Sequence, residues 1–174
     1  MNPVLARWNS LDASAAAHEV LPCCGSQAWA DLLSARRPIA DADALLATSS
    51  AVWWSLPEAD WLQAFNSHPR LGQTKAIAHA TPQSLQWSAQ EQQQALADIT
   101  ADTAAKTTLA EANLLYEQRF GRIFLLCATG KSSTQILSLL KSRLHNDTAT
   151  ELRESADQQR QITELRLQRW LEGN

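Results

Sequence analysis

Three short stretches of this 174-residue chain put chemistry-bearing side chains where local structure restrains them. The first is His68-Pro69, where proline pushes the residue before it out of α geometry, so the imidazole leaves a helix end on a stiffened backbone. An imidazole titrates near neutrality and suits general acid or base work, although a loop histidine is also an ordinary surface or capping group. The second is Ser88-x-x-Glu91-Gln92, a hydroxyl, a carboxylate and an amide within one helical turn. Glu91 reads two ways: as the last member of a capping box, or as part of a site at a helix N-terminus, which attracts anions. Glu58 stands in a box of the same kind, so capping by itself singles out neither glutamate.

The third is Arg166. Leu152, Ala156, Gln159, Ile162, Arg166 and Trp170 step by 4, 3, 3, 4 and 4 residues, which puts them on one helix face. If that face is inward, a guanidinium points into a helical interior, where an unpaired charge is costly. It then needs a protein carboxylate or a ligand anion, unless its stem merely snorkels.

Two tempting patterns fail. Gly130-Lys131-Ser132 looks like the end of a phosphate loop, but Leu125 stands where that motif requires glycine. A zinc site from His68, His79 and Glu91 would span gaps of 11 and 12 residues with no pair on one helix face, so no metal is expected.

The elements that must hold these residues are helical. Ala (29) and Leu (25) dominate while Ile and Val together number 9, a composition that favours helices over sheet. All six prolines lie at or before position 82, so short helices and turns come first and longer helices follow. Helix starts are expected at Ser10, Ser26, Asp41 and the boxes Ser55–Glu58, Ser88–Glu91 and Thr148–Glu151. The Ser10 helix should end near Leu21, the Ser88 helix near Ala101, and a further helix at Phe120 with Gly121 as its left-handed stop. Patterning lapses from Asn66 to Trp87, an irregular stretch of the length often found at functional sites. Ile123 to Cys127 is too short an apolar run for a helix and reads as a buried extended connector. Ser132 or Ser133 opens the next helix. The sum is an all-α, single-domain bundle of seven to eight helices over residues 1–174.

Composition also narrows function. A formal charge of −3 offers no basic surface for nucleic acid or anionic membrane. No apolar stretch approaches the ~20 residues of a membrane span, and neither end carries a recognisable address, so a cytoplasmic location is expected. Cys23 and Cys24 are adjacent and cannot pair without strain, which agrees with a reducing compartment.

Taken in order, the motifs resemble the family of OHCU decarboxylases, where OHCU is 2-oxo-4-hydroxy-4-carboxy-5-ureidoimidazoline, an intermediate of urate breakdown. The residues that carry the resemblance are His68-Pro69-Arg70-Leu71-Gly72, Trp87-Ser88-x-x-Glu91-Gln92 and Asn113-x-x-Tyr116-x-x-Arg119-Phe120-Gly121. Ile136-Leu137, Arg143-Leu144-x-Asn146-Asp147, Glu151 and Ile162-x-x-Leu165-Arg166-Leu167 continue it, so that it spans roughly residues 5 to 171. Each motif is weak alone, but the ordered set is specific. One departure stands out: Arg122 follows the Phe-Gly pair where the family often has an aromatic or apolar residue.

The resemblance implies an all-α homodimer that converts OHCU to (S)-allantoin and CO2 without a cofactor. It makes His68 the catalytic histidine and Arg166 a site arginine, and places Pro69, Ser88, Glu91 and Gln92 at ligand-contacting positions. The backbone amides of Ile123, Phe124, Leu125, Leu126 and Cys127 would hold the ring. In such chemistry the ring itself takes up the electrons left by CO2. The protein then fixes the carboxylate, stabilises the developing anion and delivers one proton. His68 would shuttle that proton, Glu91 would orient His68 or the substrate hydroxyl, and Arg166 would stabilise charge.

The competing readings are a non-enzymatic helical module that binds a partner through its seven tryptophans, and a same-fold enzyme acting on another ureido acid.

Overall fold

The computed structural model describes residues 2–97, 99 and 102–173, the side chain of Gln94 excepted. Nine helices, α1 to α9, run through them, and no strand occurs among the described residues. The all-α expectation holds, with one or two helices more than expected. The chain forms two compact units, Met1–Ala64 with Arg160–Asn174, and Phe65–Gln159.

The first unit contains α1 (Pro3–Asn9), α2 (Ala13–Cys24), α3 (Gln27–Ser34) and α4 (Ala42–Ser55). It also takes in most of α5 (Glu58–Asn66) and the end of α9 (Thr148–Leu171). The sequence reading has no counterpart to α1. That helix exists because Asn2 accepts hydrogen bonds from the amides of Val4 and Leu5, with Pro3 at its first position. With α1 in place, Ser10 closes it by donating to Arg7 O, and Asp12 caps α2 instead. α2 continues through Pro22 to Cys24, where Gly25 at φ 86° ends it. Ser26 and Asp41 cap α3 and α4 as expected.

Tryptophans build this unit's core. Trp8, Trp29 and Trp53 are buried; the Trp8 indole donates to Ala16 O at 2.9 Å and the Trp29 indole to Ser49 O at 3.3 Å. Trp170 meets Trp8 edge-on with centroids 5.8 Å apart. None of the seven tryptophans is exposed, which removes the feature on which the partner-binding module rested.

The second unit holds α6 (Pro82–Ala95), α7 (Thr103–Phe120), α8 (Ser133–Arg143) and the first part of α9. Its core gathers Leu71, Leu96, Leu109, Tyr116, Phe120, Phe124, Leu126, Ile136 and Leu140. Gly121 ends α7 at φ 68°, and Ser132 with Gln135 forms the capping box of α8, both as expected. Residues 123–127 are a buried, non-helical connector.

Three expected capping boxes are not caps. Thr81, accepting from Ser84 N at 3.1 Å, and Pro82 start α6 seven residues early, so Ser88 and Glu91 lie inside the helix rather than at its end. α6 ends at Ala95; its expected extension to Ala101 falls partly outside the described residues. Ser55 closes α4 by donating to Val52 O and does not open α5. Asp147, not Thr148, caps α9: its carboxylate accepts from Thr150 N and Thr150 Oγ1. In each case a stronger cap or a preceding helix takes the position first.

Candidate active site

His68 sits in the turn that follows α5, with its amide on Phe65 O at 3.1 Å. Its side chain is buried, and Nε2 lies 2.8 Å from Gln159 Oε1 on α9. An amide oxygen only accepts, so in this arrangement Nε2 carries a proton. Gln159 is itself fully buried. An apolar-face position in the sequence reading therefore turns out to orient the imidazole.

The loop after His68 is pinned at several points. Pro69 forms an isolated antiparallel bridge with Ala76, and Ala78 N donates to Asn66 O at 2.9 Å. Arg70 makes a two-pronged ion pair with Glu117 on α7, and Leu71 O accepts from Asn113 Nδ2 at 3.1 Å. Gly72, at φ 84°, donates its amide to Gln92 Oε1 at 2.9 Å. Gln92, expected at a ligand, thus uses its carbonyl oxygen to hold the loop that carries Pro69. A cleft of about 470 Å³ opens beside this loop, bounded by Arg70, Gly72, Leu96, Lys106, Leu109 and Glu117, and none of the expected site residues lines it.

Ser88 is buried and Glu91 half-buried on α6, one turn apart. Because α6 begins at Pro82, Glu91 is too far along the helix to reach an N-terminal amide. The same displacement removes the reading of Glu91 as part of a site at a helix N-terminus.

The connector is held from α8 and α9. Arg143 Nη1 donates to Leu125 O at 2.8 Å, and Cys127 N donates to Gln158 Oε1 at 2.9 Å. Lys131 Nζ donates to Cys127 O at 2.8 Å, so the lysine of the discarded phosphate-loop pattern serves as a local clamp. Arg143 is fixed in turn by Glu151 Oε1 through Nε at 2.9 Å and Nη2 at 2.5 Å. Glu151, fully buried, also accepts from Tyr116 Oη and from Asn146 Nδ2 at 2.8 Å. Burial, and then the bond to Glu151, push the Tyr116 hydroxyl up to about 12. This network ties together residues that the sequence offered only as separate motif fragments.

Arg122 is nine-tenths buried, its guanidinium 5.6 Å from the Phe120 ring centre and its Nη1 3.4 Å from Phe120 O. Its Nε and Nη2 meet no acceptor among the described residues.

Arg166 belongs to the first unit, where it is buried as its helix face implied. Nη1 lies 3.4 Å from Pro22 O in the last turn of α2, and a helix C-terminus carries partial negative charge. Cys23 and Cys24 are buried beside it; burial raises both thiols, Cys24 to about 12, with the arginine's charge opposing the rise. Among the described residues no three His, Cys, Asp or Glu side chains converge as a metal site would require, and no helix is long and apolar enough to cross a membrane.

Gln158, Gln159 and Glu151 were not singled out for chemistry by the sequence reading. A signal was present: polar residues recur on inward faces of α9, and buried polar groups need partners.

Known proteins resemble this chain closely. It is 36% identical over 146 residues to the uric acid degradation bifunctional protein TTL of Arabidopsis thaliana, covering 83% of this chain and 44% of that protein. It is 35% identical over 78 residues to the 2-oxo-4-hydroxy-4-carboxy-5-ureidoimidazoline decarboxylase of Xenopus laevis, covering 44% of this chain and 45% of that one. A crystal structure of an OHCU decarboxylase in the presence of (S)-allantoin superposes with a TM-score of 0.74 at 34% identity, covering 88% of this chain and 97% of that chain. The chain spans less than half the length of the curated relatives it matches. With the family model for OHCU decarboxylase matching residues 9–168, the chain belongs to the OHCU decarboxylase family.

Proposed function

We propose that this chain decarboxylates OHCU to (S)-allantoin and CO2. The observation that carries the reading is the buried His68 imidazole, oriented through Nε2 by Gln159. A buried, oriented imidazole is what a stereospecific proton delivery requires, and such acid–base help is worth about 10²–10⁴-fold.

The reaction balances without a co-reactant. The C–C bond to the carboxylate breaks and CO2 leaves. The bonding pair moves through the adjacent imine to its nitrogen, which takes up a proton. The hydroxyl proton of the resulting enol leaves as the ring carbonyl forms, and one proton is added at the carbon that bears the ureido group. His68 supplies that proton to one face. Glu91 orients His68 or the substrate hydroxyl, and Arg166 offsets the charge that develops. Pro69, Ser88 and Gln92 contact the substrate, and the connector from Ile123 to Cys127 holds the ring by its backbone. No cofactor takes part.

The same reading makes the protein a cytoplasmic homodimer. Leu114 and Leu115, more than half exposed on α7, support an association surface. The three cysteines, all free and buried, are compatible with a reducing compartment.

The test follows optical activity while urate is oxidised in the presence of urate oxidase and hydroxyisourate hydrolase. Adding the protein should give a fast rise of the (S)-allantoin signal, and folded His68→Ala should abolish it. Slow racemic decay identical to the protein-free control would refute the assignment.

A further inference from the structure

The cleft beside the loop after His68 has the size of a small-molecule site, about 470 Å³, yet none of the residues assigned to decarboxylation lines it. Its walls are close in sequence. Arg70 to Gln73 form one side, Leu96 and Ile99 a second, and α7 a third. On α7 the lining residues Lys106, Leu109, Asn113 and Glu117 step by three, four and four, so they share one helix face. Leu71, Leu96, Ile99 and Leu109 are buried, which makes the floor apolar.

The polar groups are few and unequal. Arg70 and Glu117 neutralise each other through their two-pronged pair. Lys106 is exposed, and its ammonium meets no carboxylate among the described residues, so the cleft keeps one unbalanced positive charge. Asn113 commits Nδ2 to Leu71 O, which leaves Oδ1, with no donor among the described residues, as the acceptor it offers. Lys106 and Asn113 are separated by about 10 Å of helix axis, a span that the flexible lysine stem can shorten.

These groups select an occupant by chemistry. The apolar floor disfavours a ureido acid, whose polar groups would lose water there and find no partners. One unbalanced cation calls for one anion, and a free amide oxygen calls for an N–H. A ring system covers such a floor with few rotatable bonds to freeze.

We propose that the cleft is a second binding site, separate from the residues around His68, for a small aryl carboxylate that also carries an N–H. Its carboxylate faces Lys106, its ring covers Leu96 and Leu109, and its N–H donates to Asn113 Oδ1. Because Arg70 to Gln73 follow His68-Pro69 directly, the occupant packs against the loop that leads away from the imidazole. Binding there does not depend on the decarboxylase reading above.

The experiment titrates the full chain, labelled with ¹⁵N-glycine, with indole-3-propionate. The five glycines are separate reporters, and Gly72 among them lines the cleft. Its amide resonance should move while those of Gly25, Gly121, Gly130 and Gly173 stay in place. Indole-3-propionamide, which lacks the charge, should bind about two- to fivefold more weakly, the range of an exposed ion pair. 1-Methylindole-3-propionate, which lacks the N–H, should bind about two- to tenfold more weakly, the range of one hydrogen bond. Lys106→Met should bring the acid down to the affinity of its amide, with turnover of OHCU unchanged in the absence of ligand. Ala110→Phe fills the cleft from an exposed position and should abolish the Gly72 response. An unmoved Gly72 resonance, equal binding of all three compounds, or an undiminished response in Ala110→Phe would each overturn the proposal. So would competition with OHCU, seen as a rise in KM alone, since it would put the ligand at His68. Loss of the ligand response as the protein alone is concentrated would mean that a second copy occupies the cleft, and would overturn it too. A Gly72 response in a protein that does not turn over OHCU would sink the decarboxylase reading alone.

Discussion

Gln159 Oε1 lies 2.8 Å from His68 Nε2, joining residues 91 positions apart in the chain. The bond fixes which imidazole nitrogen keeps its proton and how the ring is oriented.

Gln159→Leu should therefore lower kcat/KM by about tenfold, because the ring loses its orientation and a buried donor is left unmet. Gln159→Glu should move the limb of the pH–rate profile that reports the imidazole to higher pH, since a carboxylate favours the imidazolium. A pH–rate series on both variants checks this, and an unshifted limb in Gln159→Glu would place the catalytic base elsewhere.

Glu151 is the carboxylate that compensates the buried Arg143. Glu151→Gln should cost about 3–5 kcal/mol of folding stability by leaving that charge unbalanced, as read by urea unfolding. Removing both charges at once, with Arg143→Met and Glu151→Leu, should cost much less than either single change suggests.

Tyr116 is the only tyrosine, so its phenol can be followed by absorbance without ambiguity. Its hydroxyl is raised to about 12 in the folded chain, against about 10 when unfolded. A group raised on folding contributes stability below its unfolded pKa and loses that contribution as pH rises to its folded one. Stability should thus decline between about pH 10 and pH 12, with little phenolate signal from folded protein before the decline. Tyr116→Phe should lack this component, and a native titration near pH 10 would contradict the buried bond to Glu151.

Arg122 carries a nine-tenths buried guanidinium whose Nε and Nη2 have no acceptor among the described residues. Arg122→Met keeps the stem and removes the charge, and should raise stability by about 1–3 kcal/mol. Thermal unfolding of the two proteins decides it. A lower Tm in the variant would show that the guanidinium is paired in solution.

Much of this protein was legible locally. Helix stops and starts that depend on one residue's own preference were read correctly: Gly121 as a left-handed stop, Ser26 and Asp41 as caps, and the break from helix at Ile123 to Cys127. The inward burial of Arg166 followed from periodicity alone, because a helix face is fixed by spacing. The family, too, was legible, since its motifs are matters of residue type and order.

What the sequence left open was competition and long-range pairing. Ser88-x-x-Glu91 has the right letters for a cap, but Thr81-Pro82 starts the same helix earlier, and a local signal carries no record of a stronger neighbour. Glu151 likewise looked like a member of a box until Asp147 took the cap and left its carboxylate to Arg143 and Tyr116. The partner of His68 could not be read at all. Gln159 is one of several glutamines on the last helix, and only the folding of residues 65–159 into one unit decides which of them meets the imidazole. Sequence therefore set the helices and the chemical inventory through local backbone preference. Tertiary structure set the hydrogen-bond partners, because burial forces each polar group to find one and chain order does not say which.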